Sequence, residues 1–330
     1  MAQPIIETLL LFALPASGKS ELRKYLAGLT PEQCRSEMHM GETLQLDDYP
    51  YVHFMHRIDD ELAKHGWRYA FYKGPSRPFQ DEWEWAALIE LLNEDYADLV
   101  AGRQHTPPSA AELLFERLDA AHAKVGLPQH LGEVPHRIYK QVAQAMEAEC
   151  RADLAARNKQ AAMDKTGRTI VIEAARGGPN GAAFPLTPPV GYAATFQQLS
   201  EAILAKAAVL YIQVEPAESR RKNIERGRPD GQGSILHHSV PMEVMLSQYG
   251  CDDMAYLTSI SGKPNTIAVE RLFEEKGNWR SRTFHLPVAI FDNRKDLTTF
   301  VREDRASWKS SDVQAIHSEL KRAMGTLVSR

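Results

Sequence analysis

Residues 13–20 read ALPASGKS, and they overlap the end of an apolar run, TLLLFAL at 8–14, that has no helical spacing. A short run of this kind bounded by proline is the pattern of a strand buried on both faces of a parallel sheet. Residues 20–29 then read as a helix, so the chain passes from buried strand to helix through a turn of a few residues. That order of events points to an α/β architecture. The turn matches the phosphate-binding pattern G-x-x-x-x-G-K-S/T at every fixed position except the first, where Ala13 stands in place of glycine. In this pattern backbone N–H groups converge on phosphates, Lys19 neutralises them, and the Ser20 hydroxyl reaches Mg²⁺. One methyl near the strand end is the mildest replacement the first position can take. The segment Ala13, Leu14, Pro15, Ala16, Ser17, Gly18, Lys19, Ser20 and Glu21 is therefore expected to hold ATP with Mg²⁺.

The strand signature recurs in ETLQLDD (42–48), RTIVIEA (168–174), AAVLYIQV (207–214) and PVAIFDN (287–293). Helical patterns separate these runs, which predicts repeated βα units. The gap at 49–167 is far too long for an ordinary crossover. The expected fold class is thus α/β: a parallel sheet of the P-loop NTPase type flanked by helices, with a large, mainly helical insertion between the second and third strands. Residues 1–49 and 167–330 form the core, with a lid at 216–240, and 50–166 form the insertion. An aromatic stretch opens the insertion, broken by Gly74, Pro75 and Pro78, and helices follow QHTPPSA, the longest at 134–165. A helix at 312–328 closes the chain.

LQLDDYP ends the second strand with paired acids at its carboxyl end, where open α/β sheets bind their ligands. Asp47 there can accept the proton of an acceptor hydroxyl during in-line transfer of a γ-phosphoryl group. The bland alternative is a helix cap, for which Asp48 is the better candidate. If Asp48 is not the cap, it can contact the acceptor or itself be the base. Glu173, near the end of the third strand, stands where an acid coordinates Mg²⁺ through water. Arg176 follows it and can approach acceptor or phosphate. After the fourth strand, EPAESRRKNIERGRPDGQGS is dense in arginine, and Arg226 and Arg228, at the hinge of a closing lid, are candidates to stabilise transition-state charge. A solvated helix face is the competing reading of that run.

LPASGKSE, DDYP, the arginine-rich lid and HHSVPMEVMLSQYG together resemble the P-loop kinases that include the kinase domain of polynucleotide kinase, zeta toxins and chloramphenicol phosphotransferase. The resemblance covers 5–48 and 168–300. It implies a phosphotransfer reaction in which the aspartate two residues before an aromatic is the base, here Asp47 before Tyr49, and it sets HSVP at 238–241 after the lid. VAIFDNRKDL fits the loop that packs on adenine in that fold, with Asn293 as a contact; a polar turn is the competing reading. Residues 50–166 match no part of the family, and acceptor choice is expected to reside there. Arg77, in the basic turn YKGPSRPF, and Trp83 are the candidates for acceptor binding, while most of the neighbouring aromatics are expected to form the insertion's own core.

The chain has 330 residues, 39 basic against 43 acidic, and a net charge of −4, which lacks the basic footprint of a protein that grips nucleic acid. Three widely separated cysteines form neither a disulfide framework nor a zinc pattern. His53 and His56 have H-x-x-H spacing and His237 and His238 are adjacent, but no Cys, Asp or Glu pattern completes a metal site around either pair. A cytoplasmic protein without a membrane span is expected. The reading is a kinase that phosphorylates a hydroxyl of a small molecule or nucleoside. A 5′-hydroxyl polynucleotide kinase and a nucleotide-responsive switch or scaffold are the alternatives.

Overall fold

The computed structural model describes residues 4–227, 239–275 and 277–329. Strand β1 (Thr8–Ala13) leads through the 14–18 turn into helix α1 (Lys19–Ala27), followed by α2 (Pro31–Glu37) and β2 (Thr43–Asp47). Four long helices come next: α3 (Tyr49–Lys64), α4 (Glu84–Ala101), α5 (Ala110–Val125) and α6 (His136–Ala161). The chain returns through β3 (Thr169–Ala174), α7 (Gly191–Gln198), α8 (Glu201–Leu204), β4 (Ala207–Gln213) and α9 (Pro216–Arg226). It ends with α10 (Met242–Gln248), α11 (Met254–Ile260), β5 (Thr266–Glu275), β6 (Asn278–Asp292) and α12 (Ser310–Val328).

The six strands form one sheet in the order β2-β3-β1-β4-β6-β5. β1 runs parallel to β3 and β4, and β6 parallel to β4, while β5 is antiparallel to β6. Phe12 pairs with Ala174, Ala13 with Ile212 and Gln213 with Asp292, so the carboxyl ends of four parallel strands share one edge. β1 is buried along its whole length because helices cover both faces. Leu9, Leu11 and Ala13 join an apolar cluster with α1 and α12, through residues such as Leu22, Leu320 and Met324. From the opposite face, Phe12 stacks on Tyr192 of α7 at 5.1 Å between ring centres. This alternation is what makes the sequence apolar at every position rather than at every second one.

All five expected strands are present, and the structure adds a sixth. β5 and the outer part of β6 form a long antiparallel hairpin that the sequence pattern did not predict. Ile267, Val269, Phe284 and Leu286 are buried near its base, whereas residues 278–283 are exposed, so the apolar signal fades toward the tip. Leu272 and Trp279, both strongly exposed, break the alternation that would mark a strand. In the helical region α4 precedes QHTPPSA instead of following it, because the Gly74 to Pro78 breakers act only on the turn before Glu84.

The chain divides into two compact units, one of 1–45, 167–197 and 201–330, the other of 46–166 and 198–200. The division falls four residues earlier than the expected boundary, so Asp47 and Asp48 belong with the second unit. That unit is helical, with α4 packed on α5 and α6, and α3 on α6. Among the described residues no helix is long and apolar enough to cross a membrane.

Candidate functional site

The turn between β1 and α1 is held in a fixed, partly strained shape. Ala16 has φ 54° and Gly18 has φ 102°, both in the left-handed region. Gly18 is required twice over: an L side chain avoids that φ, and a Cβ there would meet Thr298 Oγ1 at 2.4 Å and Asn293 Nδ2 at 2.9 Å. Ala16 has no such freedom, and a left-handed alanine persists only where its surroundings impose it. Two buried side chains flank it. Ser219, on α9, donates its hydroxyl to Pro15 O at 2.6 Å. Asn293, just after β6, donates its amide to Ser17 O at 2.8 Å and to Thr298 Oγ1 at 2.9 Å, and its Oδ1 accepts Leu297 N–H at 2.7 Å.

The two holders are themselves joined. Lys222, three residues beyond Ser219 and buried, donates Nζ to Asp296 Oδ1 at 2.7 Å. Asp296 also accepts Thr299 N–H and its hydroxyl. This closes a frame of α9, the post-β6 loop and the turn. A second tie runs through Glu21 in the first turn of α1, which takes Arg302 Nε at 2.7 Å and lies 3.7 Å from Arg226 Nη2. Burial raises the Glu21 carboxyl, but these two guanidiniums outweigh it and hold the group below its ordinary range.

Inside the frame, Lys19 directs Nζ at Ala13 O, 3.3 Å away, and at Ala174 O, 3.5 Å away. Its ammonium therefore spans the ends of β1 and β3 beside the turn. The start of α1 adds first-turn N–H groups that have no partner within the helix and the positive end of the helix dipole. Ser20 is partly exposed in this first turn. Geometry of this kind suits an anion at the turn and a cation beside the serine hydroxyl. Ala13 itself is fully buried in the apolar cluster, so the departure from glycine contributes to the core.

Several expected residues have other surroundings than the sequence suggested. Asn293, expected at adenine, is fully buried and its amide is spent on the protein, so it braces the turn. Glu173, expected at Mg²⁺, forms an ion pair with Arg23 of α1 at 2.9 Å. Arg176, expected to reach acceptor or phosphate, is 2% exposed and donates Nη1 to Ala175 O at 2.7 Å. Arg221, in the same arginine run, pairs with Glu218 and Glu225 on the solvated side of α9. Arg228, with His237 and His238, lies outside the described residues.

In the second unit, Asp47 is partly exposed at the end of β2 and accepts Tyr49 N–H at 2.9 Å. Asp48 occupies the cap position of α3 but makes no side-chain capping bond, so the local turn is closed by Asp47 instead. Arg77 and Trp83 are both exposed, while Phe71, Tyr72 and Trp85 are core, as expected of most of that aromatic stretch. His53 bonds Glu149 and His56 stacks on Tyr72, which accounts for the H-x-x-H pair. The ring of Tyr51 has the guanidiniums of Arg117 and Arg157 each 5.5 Å from its centre, and its hydroxyl donates to Asp95 at 2.5 Å. No sequence spacing announced that cluster, nor the Ser219 and Asn293 braces, because their partners are distant in the chain.

No protein-family model matches the chain, and a search of curated proteins finds no match to it.

Proposed function

We propose that this chain is an ATP- and Mg²⁺-dependent phosphotransferase that moves the γ-phosphoryl group to a hydroxyl of a small molecule or nucleoside. The observation that carries the reading is the braced turn, with Gly18 left-handed at the mouth of α1, Lys19 beside it, and Ser219 and Asn293 fixing Pro15 and Ser17. Donors already aimed need no reorganisation when charge arrives, which is the main source of electrostatic rate enhancement. Lys19 exchanges its two carbonyl partners for phosphate oxygens. Ser20 would hold the metal ion through its hydroxyl, and the ion would supply charge neutralisation at the phosphates. Glu173 joins it only if Arg23 yields.

Asp47 takes the acceptor proton, and its bond from Tyr49 N–H fixes the carboxylate's orientation at the end of β2. Arg226 balances transition-state charge from the end of α9, where it also faces Glu21. Residues 50–166 provide acceptor recognition, with the exposed Arg77 and Trp83 as its contacts. The test is transfer from γ-labelled ATP to pools of metabolites and nucleosides. A labelled hydroxyl compound is expected, with turnover reduced by orders of magnitude in Lys19→Ala. Asp47→Asn should lower transfer by roughly 10²–10⁴ with ATP binding nearly unchanged. ATP binding without transfer, insensitive to Asp47→Asn, would make the chain a nucleotide-responsive switch, and labelling of 5′-hydroxyl oligonucleotides would move the acceptor to nucleic acid.

A further inference from the structure

Far along the chain from the braced turn, the helical unit holds a group of side chains that the phosphotransfer reading does not use. Glu84 in the first turn of α4, His122 in the last turn of α5 and His130 in the loop after α5 each present one donor atom, all within 4.8 Å of one another. Glu84 and His122 are almost completely buried and His130 is half-buried. His122 Nδ1 lies 3.1 Å from Pro128 O. A carbonyl only accepts, so Nδ1 carries the proton and Nε2 is the ring's ligating nitrogen. That Nε2 faces Glu84 Oε2 at 2.8 Å, and the other oxygen of Glu84 is buried without a hydrogen-bond partner. A buried carboxylate oxygen left unmet is costly unless a cation meets it.

The surroundings hold the donors in place. Asp119 accepts Leu131 N–H at 3.1 Å and Gly132 N–H at 2.7 Å, which fixes the loop just after His130. Asp59, on α3, accepts the N–H groups of Ala70, Phe71 and Tyr72, and Phe71 packs edge-on against both imidazoles. The carbonyl behind His122 is the outer partner that histidine–metal sites use to set tautomer and orientation, while Asp119 fixes the backbone that follows His130.

We propose that Glu84, His122 and His130 bind one Zn²⁺ ion, which joins the start of α4 to the end of α5 and the loop that follows. Two imidazole nitrogens and one carboxylate oxygen are a zinc donor set, and bonds of about 2.0–2.2 Å require His130 to close on the other two donors by up to about 1.5 Å while the Glu84–His122 pair, 2.8 Å apart, opens slightly. His130 sits in a loop and supplies that movement. Sequence spacing hid the site because the three ligands stand 38 and 8 residues apart, on two helices and a loop.

The experiment uses the full chain, stripped with chelator and titrated with Zn²⁺ alone. One zinc per chain is expected by calorimetry and elemental analysis, with an unfolding midpoint that climbs with the logarithm of zinc concentration. His130→Ala should fold, by circular dichroism, and weaken zinc binding by more than the roughly 10–100-fold that losing an outer partner costs. His130→Cys should restore binding, because a thiolate also ligates zinc. Failure of the stripped chain to take up stoichiometric zinc, or equal uptake by wild type and His130→Ala, would overturn the site and leave Glu84 and His122 as a buried ion pair.

Discussion

Ala13 is the one residue at which the phosphate-binding pattern fails, and its position explains why the failure is tolerable. It is the last residue of β1, its methyl is part of the apolar cluster, and its carbonyl faces Lys19. The turn draws its left-handed conformations from Ala16 and Gly18, so position 13 has no need of glycine. Ala13→Gly should therefore cost stability and spare function. Loss of a buried methyl and added backbone freedom sum to about 1–2 kcal/mol, visible in a denaturation midpoint, while ATP affinity stays within a few-fold. Asn293 has the opposite profile. Asn293→Ala leaves Ser17 O, Thr298 Oγ1 and Leu297 N–H without their buried partner, at about 1–3 kcal/mol for each group that stays unmet. ATP affinity should fall measurably in calorimetry, because the turn loses its brace. An affinity equal to wild type would show that the turn keeps its shape unaided. The sequence made the turn legible through Gly18, Lys19 and Ser20, which are contiguous; it hid the braces, which are 204 and 276 residues away from what they hold.

Elements built from local signals were readable, and those built from distant partners were not. α5 begins at the last residue of QHTPPSA because Ser109 caps it, its hydroxyl accepting Glu112 N–H at 3.1 Å. A second capping group comes from another helix: Glu147 of α6 accepts Ala110 N–H, Ala111 N–H and the Ser109 hydroxyl. Burial raises the Glu147 carboxyl, but these bonds and Arg151 prevail and bring it down to about 2. The folded-state value lies below the unfolded one, so the stabilisation is complete above about pH 4.5 and disappears as pH falls toward 2. Glu147→Gln should thus lower the urea midpoint at pH 6 and differ little from wild type near pH 2. A gap that stayed constant across this range would assign the effect to packing instead of charge. β5 escaped the sequence reading for the converse reason. Its pairing with β6 is long, but the outer half is exposed on both sides, with Glu270, Leu272 and Trp279 facing solvent, and burial is what writes the strand pattern into a sequence.

At the scale of the whole chain, the membership of the apolar cluster limits what each unit can be asked to do. The apolar cluster beneath the sheet is drawn from residues of the first unit alone, from Ile6 through Leu327. The second unit interrupts that chain between β2 and β3 and was recognisable from the 49–167 gap, since no crossover needs so many residues. The acceptor proposed for it was not recognisable, because recognition of a small hydroxyl compound obeys no short spacing and Arg77 and Trp83 stand out only as exposed side chains. If the nucleotide site belongs to the first unit and acceptor choice to the second, the two properties can be separated physically. Replacing residues 48–165 with a flexible linker of about a dozen residues or more, enough for a crossover, removes no member of the cluster. It does forfeit the bonds from Asn93 to Gln198 O, from Ser200 N–H to Asn93 and from the Gln198 amide to Glu90, worth about 1 kcal/mol each. The shortened chain should unfold cooperatively with a modestly lowered midpoint, bind ATP within a few-fold of the intact protein and transfer no phosphoryl group to the acceptor. Loss of ATP binding in a chain still folded by circular dichroism would mean that the nucleotide, too, depends on residues 48–165.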